Sequence, residues 1–211
     1  MNLFSPDSKF MRAMAMLGDL MLLNLVFLVC CVPVVTIGAA RTALCAVCFG
    51  LDRDAGGRVL PRFFRAFRQN FRAATPLWLL LLLAGGVAAL DCYLALRLGG
   101  LWWLALAPGG LLALIVLLTD AMLFPLLSQF DNSPGATLKN AALLALAWLP
   151  RSLAAAAMNV FPFAVLLADF YLFLTVGFLW AALYFSACAY LSGKLLKKVF
   201  APYRAEAEET P

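Results

Sequence analysis

The chain has 211 residues, of which 65% are hydrophobic and only 13% charged, and its mean hydropathy is +0.94. A soluble domain of this length carries about twice that charged share and alternates polar with apolar faces, so composition excludes the soluble class and implies a polytopic membrane protein. The net charge of +5 does not call for nucleic acid, because the arginines stand beside apolar runs, where the positive-inside rule accounts for them. The expected polyanion is membrane lipid, the anionic inner leaflet.

Ser5-Pro6-Asp7 reads as a helix start, with serine as N-cap and proline at the first helical position. Lys9 and Arg12 then stand at a membrane edge, and residues 14–32 form the first span. That run exceeds the roughly 7–15 apolar residues of a cleaved signal, so it is expected to be retained. Pro33 ends it, since proline lacks the N–H and disfavours helix in the residue before it, and Val34 to Gly38 form a turn. Residues 37–51 are short for a crossing that takes about 20 residues. Two topologies compete: one long bent helix over residues 14–51, or a hairpin that returns the chain to its starting side. Lys9 and Arg12 before the segment and the arginines from Arg53 to Arg72 after it ask for the same side, which favours the hairpin.

Residues 58–72, RVLPRFFRAFRQNFR, place Leu60, Phe63, Phe64, Phe67 and Phe71 on one arc of a helical wheel and Arg58, Arg62, Arg65, Arg68 and Arg72 on the other. A basic amphipathic helix of this kind suits the plane between acyl chains and anionic headgroups. Arg62, Arg65, Arg68 and Arg72 are therefore the candidate face for lipid or for a docking partner. Residues 75–96 run outward, Gly99 and Gly100 turn the chain, and residues 101–127 return, with Trp102 and Trp103 placed as an interfacial belt. QFDNSPG, residues 129–135, is a polar turn in which Ser133 caps and Pro134 starts a fifth helix over residues 134–158. Phe161-Pro162 is read as the second outer turn, and a last helix covers residues 163–192, ending at Gly193 before Lys194, Lys197 and Lys198. Residues 201–211 hold every glutamate and read as a disordered cytoplasmic tail behind a single domain over residues 1–200. The expected fold is all-α: a transmembrane helix bundle of six membrane segments, the second short and paired with the first, plus the cytoplasmic amphipathic helix, with both termini on the cytoplasmic side.

Charges inside spans cost roughly 2.5 to 3.5 kcal/mol each on insertion scales, so Asp19, Arg41, Asp91, Asp120, Arg151 and Asp169 need partners or water. At 1.5 Å per residue, the hairpin topology sets Arg41, Asp91 and Asp169 in the outer half, Arg151 between the middle and the outer face, and Asp19 and Asp120 in the inner half. Arg41, Asp91, Arg151 and Asp169 are thus the candidate intramembrane polar cluster, pairing Arg41 with Asp91 and Arg151 with Asp169. Such residues either pair to hold the bundle in register, line a solute cavity, or snorkel to the interface.

The six cysteines, Cys30, Cys31, Cys45, Cys48, Cys92 and Cys188, all lie inside apolar runs, and no histidine is present. They read as small apolar packers, with thiol-redox or metal roles as the alternative; Cys45 and Cys48 have CxxC spacing but no second pair at metal-ligand spacing. Neither a GxSxG elbow nor a GxxxxGK loop occurs, and no glutamate precedes Glu206. An enzyme, a metal site and a cofactor are not expected.

Three stretches resemble the YesL-like family of uncharacterised bacterial integral membrane proteins: LFSPD from Leu3, PVVTIGAARTA from Pro33 to Ala43, and RFFRAFRQNF from Arg62 to Phe71. The resemblance implies a gene neighbourhood of carbohydrate-uptake and polysaccharide-degradation systems, and it transfers no functional residue. It points to a non-enzymatic protein accessory to a carbohydrate ABC transporter and contacting that transporter's subunits. The permease itself is excluded, because its ATPase-docking loop needs an internal glutamate. The alternative is a small transporter or channel that uses the buried arginine and aspartate residues directly.

Overall fold

In hydrocarbon no water is available to backbone N–H and C=O groups, so an apolar run must close its hydrogen bonds within itself, and the helix is the solution open to a single segment. The computed structural model describes residues 9–51 and 58–209, and among these there is no strand. The helices are α1 (Lys9–Cys31), α2 (Ile37–Gly50), α3 (Val59–Leu98), α4 (Leu106–Leu127), α5 (Pro134–Ala147), α6 (Leu149–Ala168), α7 (Phe170–Thr175), α8 (Gly177–Leu179) and α9 (Phe185–Glu209). Short 3₁₀ turns, Val34–Thr36 and Gly100–Ala105, precede α2 and α4, and a π-helical turn, Trp180–Tyr184, leads into α9. Five stretches are long and apolar enough to cross a membrane: Phe10–Cys31, Val59–Leu98, Trp102–Leu127, Leu149–Ala168 and Gly177–Ala201. The second segment, Val34–Gly50, is shorter than these. The expected cap at Ser5 lies outside the described residues.

Pro33 ends α1 as its missing N–H requires, and the Thr36 hydroxyl donates to the carbonyls of Cys30 and Pro33 at 2.5 and 2.7 Å, so the end of α1 does not leave them bare. After this turn α2 lies antiparallel to the first half of α3. At Gly38 the two backbones approach so closely that a Cβ would stand 2.6 Å from Trp78 Cβ and 2.8 Å from the Ala74 carbonyl oxygen, while at the other end Gly50 lies against the Arg62 guanidinium. Glycine at residue 38 is what permits that approach. Leu20, Leu23 and Phe27 of α1 share a buried cluster with Ala43, Leu44 and Val47 of α2. The second and larger cluster centres on the buried C-terminal half of α4, around Met122, Leu123 and Phe124, which meets α3, α5, α6 and α9.

Four expectations change. Residues 58–72 do not form a helix of their own: they are the first third of α3, one 40-residue helix with Pro76 inside it, about 60 Å long at 1.5 Å per residue and twice the hydrocarbon thickness. The expected fifth helix over residues 134–158 breaks at Trp148, because Pro150 in the first turn of α6 has no N–H for the Leu146 carbonyl and its ring crowds that carbonyl, so α5 cannot continue through it. Ser152 repairs the break by donating to the Ala145 and Leu149 carbonyls at 2.7 and 3.0 Å. Pro162, read as a turn, sits inside α6, and the chain instead breaks at Asp169, whose carboxylate accepts from the Leu172 N–H at 3.0 Å and caps α7. α9 continues to Glu209, through most of the stretch expected to be a disordered tail.

The π turn shifts the hydrogen-bond register by one residue and leaves backbone groups without their usual helical partners. Asn24 of α1, fully buried, takes three of them: its amide N–H groups donate to the Trp180 and Ala181 carbonyls at 2.9 and 2.6 Å, and its Oδ1 accepts from the Ser186 N–H at 3.0 Å. Asn24→Leu, nearly isosteric but without the amide, should strand these groups and lower stability by about 3 kcal/mol. Unfolding titrations in detergent, with hydrogen exchange at residues 180–186, measure it; an unchanged midpoint and unchanged exchange refute the clamp.

Candidate functional site

Arg41 sits one turn into α2, on the helix that Gly38 lets press against α3. Its guanidinium crosses to Asp120 of α4 and forms a two-pronged ion pair, Nη1 to Oδ1 at 2.6 Å and Nη2 to Oδ2 at 2.8 Å. The planar fork matches the carboxylate, and each oxygen receives its own N–H. One face of the guanidinium lies over the Phe124 ring, 4.5 Å from Cζ to the centroid, and the Phe124 ring meets Trp78 at 6.3 Å. The Trp78 indole N–H is held in turn by the Val34 carbonyl at 2.8 Å. The charge is thus neutralised by one side chain and covered by an aromatic one. The partner expected for Arg41 was Asp91. Placing residues by rise from the membrane edge set Arg41 and Asp120 in opposite halves, yet the pair puts them at one level.

The other members of the expected cluster go elsewhere. Asp91 lies on α3 against Gly109 of α4, where a Cβ would come within 2.5 Å of its Oδ2, and it makes no ion pair with a described residue. Arg151 stacks over the Trp148 ring at 4.5 Å and has a buried Nη1 without an acceptor among the described residues. Asp169 is the exposed cap of α7, so it does not pair with Arg151. These four residues do not form one polar cluster.

Beside the pair lies a cavity of about 50 Å³ bounded by α1, α2, α4, α6 and α9. Its polar wall includes Arg41, Asn159, Tyr184 and Ser192, and its apolar wall includes Phe27 and Phe185. The Tyr184 hydroxyl donates to the Met158 carbonyl at 2.7 Å, which ties the start of α9 to α6. Of the pair, Arg41 lines this cavity, and the two side chains keep 20% and 16% of their surface exposed. Such a volume has room for about one or two water molecules. Cys45 and Cys188 also line it; all six cysteines are free, and among the described residues no group of three or more histidine, cysteine or acidic side chains is placed to hold a metal.

The arginine stretch divides differently from its helical wheel. Phe63 is fully buried within the α1–α2 cluster, Phe67 and Phe71 are partly buried against the core, and only Phe64 is exposed, at 51%. The aromatic face is mostly a protein-packing face. Arg65, Arg68 and Arg72 are exposed and make no ion pair with a described residue, whereas Arg62 is half-buried beside Gly50. Sequence reasoning missed Asn24, although a lone amide inside the run MLLNLVF was the available signal, since an amide in a span needs partners.

A family described as "Protein of unknown function, DUF624" matches residues 20–92, a stretch that begins within α1, contains Asn24 and Arg41, and ends near the C-terminus of α3. Asp120 lies outside it. No curated protein and no solved structure matches the chain.

Charge reversal tests the pair. Arg41→Asp or Asp120→Arg alone should cost about 3 kcal/mol by leaving like charges in an apolar site and should cut membrane accumulation. The double swap should recover a large part of both, and pairing Arg41→Asp with Asp91→Arg should recover nothing. Equal losses in all four variants would overturn the assignment.

Proposed function

We propose that the chain is a non-enzymatic integral membrane protein of the YesL-like kind, accessory to a bacterial carbohydrate-uptake system of the ABC type, in the inner membrane with both termini in the cytoplasm. The observation that carries this reading is the small space beside the Arg41–Asp120 pair. The Arg41–Asp120 pair satisfies both of its members, and the cavity beside Arg41, about 50 Å³, is far smaller than a sugar. A solute path through Arg41 and Asp120 therefore has no room in this conformation, which weighs against the transporter alternative. The accessible chemistry is instead the exposed row Arg65, Arg68 and Arg72, with Lys194, Lys197 and Lys198 on α9. In this reading α2 is the short sixth membrane segment that returns the chain to the inner side, and the basic face contacts the inner leaflet and carbohydrate ABC transporter subunits.

Two experiments address it. Single-cysteine reporters at Ser5 and Arg58 should both be shielded from an impermeant thiol reagent applied outside intact cells; external labelling of either rejects the orientation. Affinity purification of the tagged chain from its native host in mild detergent should enrich carbohydrate-transporter subunits, and Arg65→Gln with Arg68→Gln should reduce that enrichment at least several-fold. Purification without any transporter subunit rejects the accessory role.

A further inference from the structure

We infer that a crevice on the first third of α3 is a seat for one anionic phospholipid molecule. The crevice is lined by Phe64, Phe67 and Phe71 on its apolar side and by Arg68, Gln69 and Arg72 on its polar side. Arg68 and Arg72 stand one turn apart on the same helix face, are exposed, and have no counter-charge among the described residues. Two guanidinium forks at that spacing suit the oxygens of one phosphate, which each can bind in two-pronged fashion. The phenylalanines beside them give an apolar wall, so the seat combines the two chemistries of an amphiphilic anion: donors for a phosphate and an aromatic surface for the start of an acyl chain.

Position on the helix argues for lipid over a soluble anion. Arg72 precedes Thr75 by less than one turn, about 4.5 Å, and from there α3 runs into the leucine-rich stretch that crosses the hydrocarbon. A phosphate on Arg68 and Arg72 then lies at headgroup level, with its acyl chains directed along Phe71 toward that stretch. Arg65 is exposed on the same helix but outside the crevice, which separates a built seat from diffuse attraction to a charged surface. The inference rests on the reading that this end of α3 faces the inner leaflet; thiol labelling tests that orientation independently, so the two can fail separately.

The test uses the full chain, purified in a neutral detergent, with phosphatidylglycerol, phosphatidylcholine or inorganic phosphate added, and reads lipid occupancy by native mass spectrometry and melting temperature. One phosphatidylglycerol should be retained and should raise the melting temperature, while phosphatidylcholine and inorganic phosphate should not. Arg68→Gln with Arg72→Gln should weaken retention about tenfold or more, Phe64→Ala should weaken it measurably, and Arg65→Gln should leave it within about twofold. All three variants alter exposed side chains, and an unchanged lipid-free melting temperature will confirm that they fold. Equal losses from Arg65→Gln and from the Arg68/Arg72 double variant would replace the seat with diffuse surface charge, stabilisation by inorganic phosphate would make it a site for a free anion, and no retained lipid would overturn it outright.

Discussion

A guanidinium held between apolar helices must be neutralised where it stands, and the arrangement around Arg41 follows from that constraint. Water cannot reach it freely, and leaving it unpaired would cost several kcal/mol. Asp120 meets the fork with both oxygens, which fixes α2 against α4 at one level. Gly38 fixes α2 against α3 a single turn away, and Phe124, one turn beyond Asp120 on α4, covers the guanidinium face. The short second helix is therefore not a loosely held connector. It is tied on two sides through residues three positions apart, and its far end is closed by Phe49, which stacks on Phe200 of α9 at 6.1 Å.

The rest of the bundle shows the same constraint acting on the backbone. A helix that stops or changes register in an apolar stretch releases carbonyls or N–H groups, and at four such places a side chain takes some of them: Thr36 after α1, Ser152 across the α5–α6 break, Asp169 at α7, and Asn24 at the π turn before α9. These four polar residues stand where the backbone would otherwise be left unsatisfied. Asn24 differs from the others in reach, since its partners lie more than 150 residues away. It substitutes for the local capping that a π turn cannot supply for itself.

Composition and run length made the helical class and most spans legible, because a 20-residue apolar run has few alternatives. The breaks were less legible. Pro33 and Pro162 look alike in sequence, yet the first ends a helix, where the Thr36 hydroxyl receives the chain, and the second is accommodated within one. Asp169 was read as an intramembrane charge, although an aspartate immediately before FYLFLT also fits an N-cap. The choice of Asp120 over Asp91 for Arg41 was not legible, because helix rise gives depth only once each helix end is placed. The 3₁₀ turn and the close packing at Gly38 set the depth of α2 through tertiary contact.

Periodicity identified two faces on residues 58–72 without identifying what each face meets. An aromatic stripe opposite an arginine stripe is the pattern of a helix floating at an interface and equally of a helix packed against protein on one side. The deciding factor is the small-residue surface that α2 offers: with Gly38, Ala43 and Ala46 in the helix alongside, α3 approaches closely enough for Phe63 to be enclosed, and Phe67 and Phe71 follow onto the core. Once those rings are committed to protein, the helix cannot lie flat on the membrane without exposing them again, at a cost of about 1.5 to 3 kcal/mol for the fully buried Phe63 and less for the other two. It therefore stands collinear with its own span. That leaves Phe64 and the outward arginines as the most exposed part of this segment, with one side of Phe67 and Phe71 still open to the crevice between them.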